Sequence, residues 1–417
     1  MTRTPTETEG LAPASLHGGG KNLALATLAF TVSFWAWNVI GPLGVRYAAD
    51  LDLTSNEKSL LVAIPVLVGS LGRILAGALT DRLGGRLMFP ILLVLSAPFV
   101  LLVAIAGRND SYPLLLIFGF FLGIAGTTFA VGIPFVNAWY EANRRGFATG
   151  VFGAGMGGTA LSAFFTPRFV DWFGYLATHI IVAVGLLVTA AICWVAMRDS
   201  PRWSANHDPV APKLMAALRL PVTWKMSFLY AVAFGGFVAF STYLPTYLKD
   251  IYEFDLTGAG TRTAGFALAA VLARPLGGVF ADRIGPRNVV AISLAGTMVL
   301  AVVVAFEPPI EVPAGAAFIA LAFFLGLGTG GVFAWVAALA PPERVGAVTG
   351  LVGAAGGLGG FFPPLVMGAT YQVAFDGYGL GLALLAVVAA GALAFAWFAV
   401  EAAGRRAASG FSTGSRP

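Results

Sequence analysis

Two arginines stand where a charge is hardest to keep. Arg73 and Arg274 each interrupt a long apolar run, and each precedes an aspartate, Asp81 or Asp282, by eight residues. On a helix that spacing buries the guanidinium about 12 Å inside the run. A cation at such depth in hydrocarbon is costly unless it faces a cavity or a partner. No Asp or Glu falls inside the apolar runs away from their ends, so a structural ion pair lacks its second member. Backbone carbonyls or water are the remaining partners. Each guanidinium is a planar fork of donors, and two forks that converge suit a small planar oxyanion. No nucleophile, paired carboxylates or clustered metal ligands accompany them, so neither an enzyme nor a metal or other cofactor is expected. His179 could carry protons, or be structural. Cys193, the single cysteine, excludes a disulfide framework and reads as an apolar filler.

The elements that position these arginines follow from composition. Of 417 residues, 58% are hydrophobic and 11% charged, with a mean hydropathy of +0.83. A soluble domain carries roughly a quarter of its residues as charges. The net charge of +5 lies in short loops and builds no basic face, which argues against a nucleic-acid partner. A bilayer needs about 20 apolar residues per helix. Spans are expected near 22–45, 58–80, 87–106, 112–138, 146–170 and 174–197, then near 225–248, 261–281, 288–306, 313–340, 346–373 and 377–400. The expected organisation is a disordered tail at 1–20, a six-helix bundle at 21–197, a linker at 198–224, a second bundle at 225–400 and a tail at 401–417. Seventeen Lys and Arg residues on the termini and even-numbered connections, against six on the odd-numbered ones, place both termini and the linker in the cytoplasm.

The chain also repeats itself. Arg73, Gly77, Asp81, Arg82, Gly84 and Arg86 each recur 201 positions later, at Arg274 through Arg287. Arg144, Gly146, Thr149, Gly150, Gly153, Ala154 and Gly157 each recur 200 positions on, from Arg344 to Gly357. Parallel repeats of six helices are the expected architecture: an all-α integral membrane fold of twelve transmembrane helices in two halves. The fifth and eleventh spans are crowded with glycine, at Gly150–Gly158 and Gly350–Gly360. That spacing lets helices touch backbone to backbone and leaves amides near a bound anion.

Together these pieces resemble the nitrate/nitrite porter family of the major facilitator superfamily from about residue 23 to 400. The matching runs are Gly69–Arg73, Ala273–Gly278, the two glycine-rich spans, and Gly126–Ala130 with Gly132–Tyr140 in the fourth span. The resemblance implies a lipid-embedded monomer that moves nitrate and nitrite. It implies that Arg73 and Arg274 bind the anion, and that rings at Phe129, Tyr230 and Phe234 sandwich its plane. The Asp-Arg-x-Gly-x-Arg segments resemble the superfamily's loop motif, which implies a gating role for Asp81, Arg82, Arg86, Asp282, Arg283 and Arg287. One departure stands out. Many members carry Asn where this chain has Met156, and a thioether cannot donate to nitrate. Backbone groups near Gly155 then take over, or selectivity differs. Formate, oxalate and cyanate are the rival anions, and proton-coupled symport is the rival to nitrate/nitrite exchange.

Overall fold

The computed structural model describes residues 16–141, 144–206, 209–341, 344–373 and 377–411, and every regular element among them is helical. The first half comprises α1 (Gly19–Trp37), α2 (Ile40–Asp50), α3 (Ser55–Leu83), α4 (Gly85–Arg108), α5 (Tyr112–Leu122), α6 (Thr128–Trp139), α7 (Arg145–Gly153), α8 (Gly158–Phe173) and α9 (Tyr175–Ala196). After α10 (Val210–Leu218) come α11 (Pro221–Tyr252), α12 (Leu256–Ile284), α13 (Pro286–Ala305), α14 (Gly315–Leu339), α15 (Val345–Gly359), α16 (Phe362–Val373) and α17 (Gly379–Phe411). Of the expected tails, residues 1–15 and 412–417 lie outside the described residues. Helix α1 already begins at Gly19, and α17 continues to Phe411.

Among the described residues, eleven helices are long and apolar enough to cross a membrane. The segment expected as a fifth span, 146–170, is not among them. It is helical as α7, a 3-10 turn at Ala154–Gly157, and α8. Its many glycines dilute its hydropathy and Arg168 interrupts it, yet α8 packs between α1 and α12 inside the bundle.

The sequence repeat is visible as geometry. Helices α3 and α12 are both 29 residues long, and their bounds differ by 201 at each end. Each opens on a capping side chain: Thr54, within a full capping box with Glu57, and Asp255, which accepts from the Gly258 amide. Each ends on a glycine with positive φ, Gly84 at 79° and Gly285 at 86°, a conformation that a Cβ would strain. The two long helices that carry Arg73 and Arg274 are therefore started and stopped by matching chemistry.

Several spans are broken near mid-membrane. The first breaks between Trp37 and Ile40 because Pro42 has no N–H for the Asn38 carbonyl four residues earlier, and its ring crowds that carbonyl. The fourth passes through a 3-10 turn at Gly123–Thr127, and the eleventh breaks after Gly359, ahead of Pro363 and Pro364. Mid-helix 3-10 turns often mark hinges.

The halves meet unevenly. At the end of the bundle remote from the chain termini, Lys58 Nζ pairs with Asp250 Oδ2 at 2.7 Å, with 10% and 16% of the two side chains exposed. Tyr378 donates to the same carboxylate at 2.5 Å, and hydroxyl contacts continue through Tyr243 to Ser59. A Cβ on Gly260 would lie 2.2 Å from the Ala163 carbonyl, and one on Gly368 would lie 2.2 Å from Ser59 Oγ. At the terminal end, by contrast, a Cβ on Gly77, Gly150, Gly278, Gly346 or Gly350 would meet no described heavy atom within 4 Å beyond its own chain neighbours and helix backbone. The halves are thus pressed together at the remote end, while these terminal-end glycines touch nothing described in the other half.

Candidate anion site

Arg73 and Arg274 come together between the two halves, 2% and 9% exposed. Both guanidinium carbons lie over the Phe129 ring, at 4.9 and 5.4 Å from its centroid, so the two cations are at most about 10 Å apart. Arg73 also stands 5.4 Å from Phe234, and Arg274 5.6 Å from Phe333. Ring faces attract cations, most strongly when water is excluded.

The partners of the two arginines are weak or incomplete. Arg73 Nη1 donates to the Gly353 carbonyl of the other half at 2.8 Å, and Nε reaches the Gly126 carbonyl at 3.4 Å. Its Nη2 is buried with no hydrogen-bond partner among the described residues. Arg274 Nη1 meets Met156 Sδ, a weak acceptor. The Tyr230 hydroxyl lies beside Arg274 but completes no hydrogen bond among the described residues. Neither arginine forms an ion pair among the described residues. Two buried cations thus retain unused donor capacity that faces one ring.

Helix positions explain the convergence. Tyr230 and Phe234, four apart on α11, stack at 5.0 Å with 3° between their planes. Phe234 then faces Phe129 at 6.2 Å and 23°. Glycines let these elements approach. A Cβ on Gly357 would lie 2.2 Å from Ser70 Oγ and 3.3 Å from Arg73 Nη1, and one on Gly356 would strike the Tyr230 ring. Phe129 and Phe234 are slightly too close for a planar guest, since two ring contacts at about 3.5 Å each need about 7 Å. They must part by roughly an ångström to admit one.

The structure therefore gathers Arg73, Arg274, Phe129, Tyr230, Phe234 and Met156 at one place. Gly155 is placed otherwise: its Cβ position falls 2.4 Å from Phe30, and it is Gly153 that faces the Arg274 guanidinium, at 3.7 Å. Phe333 and the Gly353 carbonyl belong to the same cluster and were not anticipated. Their signal was the repeat, because Gly330 and Phe333 echo the three-residue spacing of Gly126 and Phe129.

The Asp-Arg segments lie at the terminal end. Asp81, Arg82, Asp282 and Arg283 are exposed there. The Asp81 carbonyl accepts from the Asn206 amide at 2.9 Å, and the Arg86 amide donates to Asp199 at 3.0 Å. Burial pushes the Asp199 carboxyl up, against the Arg86 and Gly85 amides and the Arg86 charge. Arg287 stacks on Trp397 at 4.1 Å and donates to its carbonyl. His179 is buried in α9, its Nδ1 2.8 Å from the Tyr175 carbonyl on its own helix, among Tyr47 and Tyr175 rather than the arginines.

The family model of the Major Facilitator Superfamily matches residues 26–262 and 252–417. The chain is 62% identical over 374 residues to the probable nitrate/nitrite transporter NarK2 of Mycobacterium tuberculosis (strain ATCC 25618 / H37Rv), covering 90% of this chain and 95% of that protein. It is 36% identical over 400 residues to the probable nitrate/nitrite antiporter NarK1 of Thermus thermophilus, covering 88% and 87%. Among solved structures, a bacterial homologue of the human lysosomal transporter Spinster, inward-facing and occupied, superposes with a TM-score of 0.71 at 18% identity, covering 92% and 97%, which speaks to the fold alone. This multi-pass membrane protein belongs to the Major Facilitator Superfamily and, within it, to the nitrate/nitrite porter family.

Proposed function

We propose that the chain carries nitrate and nitrite across a bacterial-type inner membrane by alternating access, exchanging one for the other, with Arg73 and Arg274 as the anion site. The observation that carries this reading is the pair of repeat-related guanidiniums, one from each half, buried over one ring with donors unused. The names of the relatives support the choice of anion. In this reading twelve helices span the bilayer, residues 21–197 and 225–400 are the two halves, 198–224 links them, and both termini face the cytoplasm. Phe129, Phe234 and Phe333 present ring faces to the anion, Tyr230 adds a hydroxyl, and Met156 holds the Arg274 fork in place without touching the anion as a donor. The Asp81 and Asp282 segments act as latches at the terminal end, closing when the remote end opens. The protein works as a monomer without a cofactor.

The test is counterflow of labelled nitrate in proteoliposomes with Arg73→Lys and Arg274→Lys. Lysine keeps the charge and loses the planar fork. Each substitution is expected to lower transport at least 100-fold. Near wild-type rate and affinity in both would place the site elsewhere.

A further inference from the structure

Helices α11, α16 and α17 enclose a cavity of about 270 Å³ that the anion site does not use. Its origin is the break in the eleventh span. Up to Gly359 that span lies tight on α11, where a Cβ on Gly359 would fall 2.2 Å from the Ala231 carbonyl. Beyond Pro363 and Pro364, α16 leans on the other half, and a Cβ on Gly368 would strike Ser59 of α3. Helices α11 and α16 therefore part, and α17 closes only the back of the gap. At the corresponding junction of the first half, α1 with α8, Trp35 packs on Phe165 and Phe169 and donates to Thr166.

The chemistry of the walls selects hydrocarbon. The floor is Ala239, Tyr243, Met367 and Leu382, each at most 8% exposed. The rim is Phe228, Phe362, Leu384 and Val388, each more than 40% exposed on helices apolar enough to cross a membrane. The mouth therefore opens to the bilayer rather than between the halves. Tyr243 and Tyr247 supply the only side-chain hydroxyls of the lining, and Tyr243 engages its own with Ser59 and Tyr378. A buried water needs two to four polar partners, so water does not hold this space. Left unfilled, the lining would forfeit its dispersion contacts on one side.

The shape selects a chain. On α11 the lining residues Phe228, Val232, Ala239, Tyr243 and Tyr247 share one face and run about 28 Å along the axis, close to the roughly 30 Å of a hydrocarbon core. At about 30 Å³ for a group the size of a water molecule, the volume takes roughly nine methylenes. Trp224, one turn before Phe228 and 64% exposed, marks the headgroup level at the terminal end.

We propose that this crevice holds one acyl chain of a phospholipid from the leaflet at the terminal end, a resident lipid distinct from the exchanging lipid around the bundle. The chain fills the space that the break in the eleventh span opens. It backs α16 on the side away from the contact of Gly368 with Ser59. The site stands whatever small anion the protein carries.

The experiment places the full chain in vesicles of phosphatidylethanolamine and phosphatidylglycerol, a small fraction of which carries a photoactivatable diazirine on one acyl chain. After illumination, adducts are mapped by mass spectrometry. Adducts are expected on the floor residues Tyr243, Met367 and Leu382, in yield at least equal to those on the exposed Leu95 and Val184 of other spans. Ala239→Phe fills the floor, and Val388→Trp narrows the mouth from an exposed position that folding does not depend on. Each is expected to lower the floor adducts at least fivefold and to leave those on Leu95 and Val184 within twofold. Floor residues without adducts in the wild type, floor adducts undiminished in Val388→Trp, or a link between two copies of the chain across the crevice would overturn the site.

Discussion

At the scale of the residue, Phe129 joins the two halves of the site, because both guanidiniums lie over its ring. A desolvated cation–π contact contributes about 1–2 kcal/mol. Phe129→Leu keeps the bulk and loses the ring face, so nitrate affinity is expected to fall about tenfold or more while expression and thermal stability hold. Unchanged affinity in folded protein would return Phe129 to plain packing. Phe234→Ala is expected to weaken binding in the same assay, since it removes the facing ring 6.2 Å away. These residues were legible in the sequence to different degrees. Arg73 and Arg274 announced themselves, because a cation in an apolar run has few explanations. Phe129, Tyr230 and Phe234 were readable only through family resemblance, since with 33 phenylalanines in the chain an aromatic ring is background. Phe333 was missed for the same reason. The contact of Met156 with Arg274 was invisible, because only the folded bundle brings residues 118 apart together.

At the scale of the element, the repeat predicted matched second and eighth spans, and α3 and α12 match at both ends. The breaks were less legible. Pro42 and the glycines of the fourth and fifth spans are plain in the sequence, but whether they bend a helix depends on neighbours that satisfy the freed carbonyls. Lys58 lies in the first turn of α3 and is paired with Asp250 of the other half. Removing one member of a buried pair costs about 3–5 kcal/mol, whereas replacing both with apolar groups can be nearly neutral. Asp250→Asn is therefore expected to loosen the remote end and raise hydrogen exchange in α2 and in the part of α11 from Ser241 to Tyr252. Lys58→Met/Asp250→Leu is expected to restore part of that protection. Exchange in Asp250→Asn as slow as in wild type would show that the pair does not hold this end shut.

At the scale of the whole molecule, the two halves close around two cations that form no ion pair among the described residues. Charges about 8 Å apart, the most that one anion about 4 Å from each can bridge, repel by roughly 2 kcal/mol at an effective dielectric of about 20, whereas the anion attracts each by roughly 4 kcal/mol. On the proposed reading the loaded carrier is therefore expected to cross between states more readily than the empty one, which would make exchange obligate. A proton would add positive charge to a site that is already cationic, and the buried His179 sits apart from it. The most direct measurement compares nitrate uptake into proteoliposomes loaded with nitrite and into proteoliposomes holding no anion substrate, the latter under an inward proton gradient. Rapid uptake into the nitrite-loaded vesicles and almost none into the empty ones is the predicted result. Robust accumulation in the empty vesicles, with no stimulation by internal nitrite, would contradict exchange and establish proton-coupled symport.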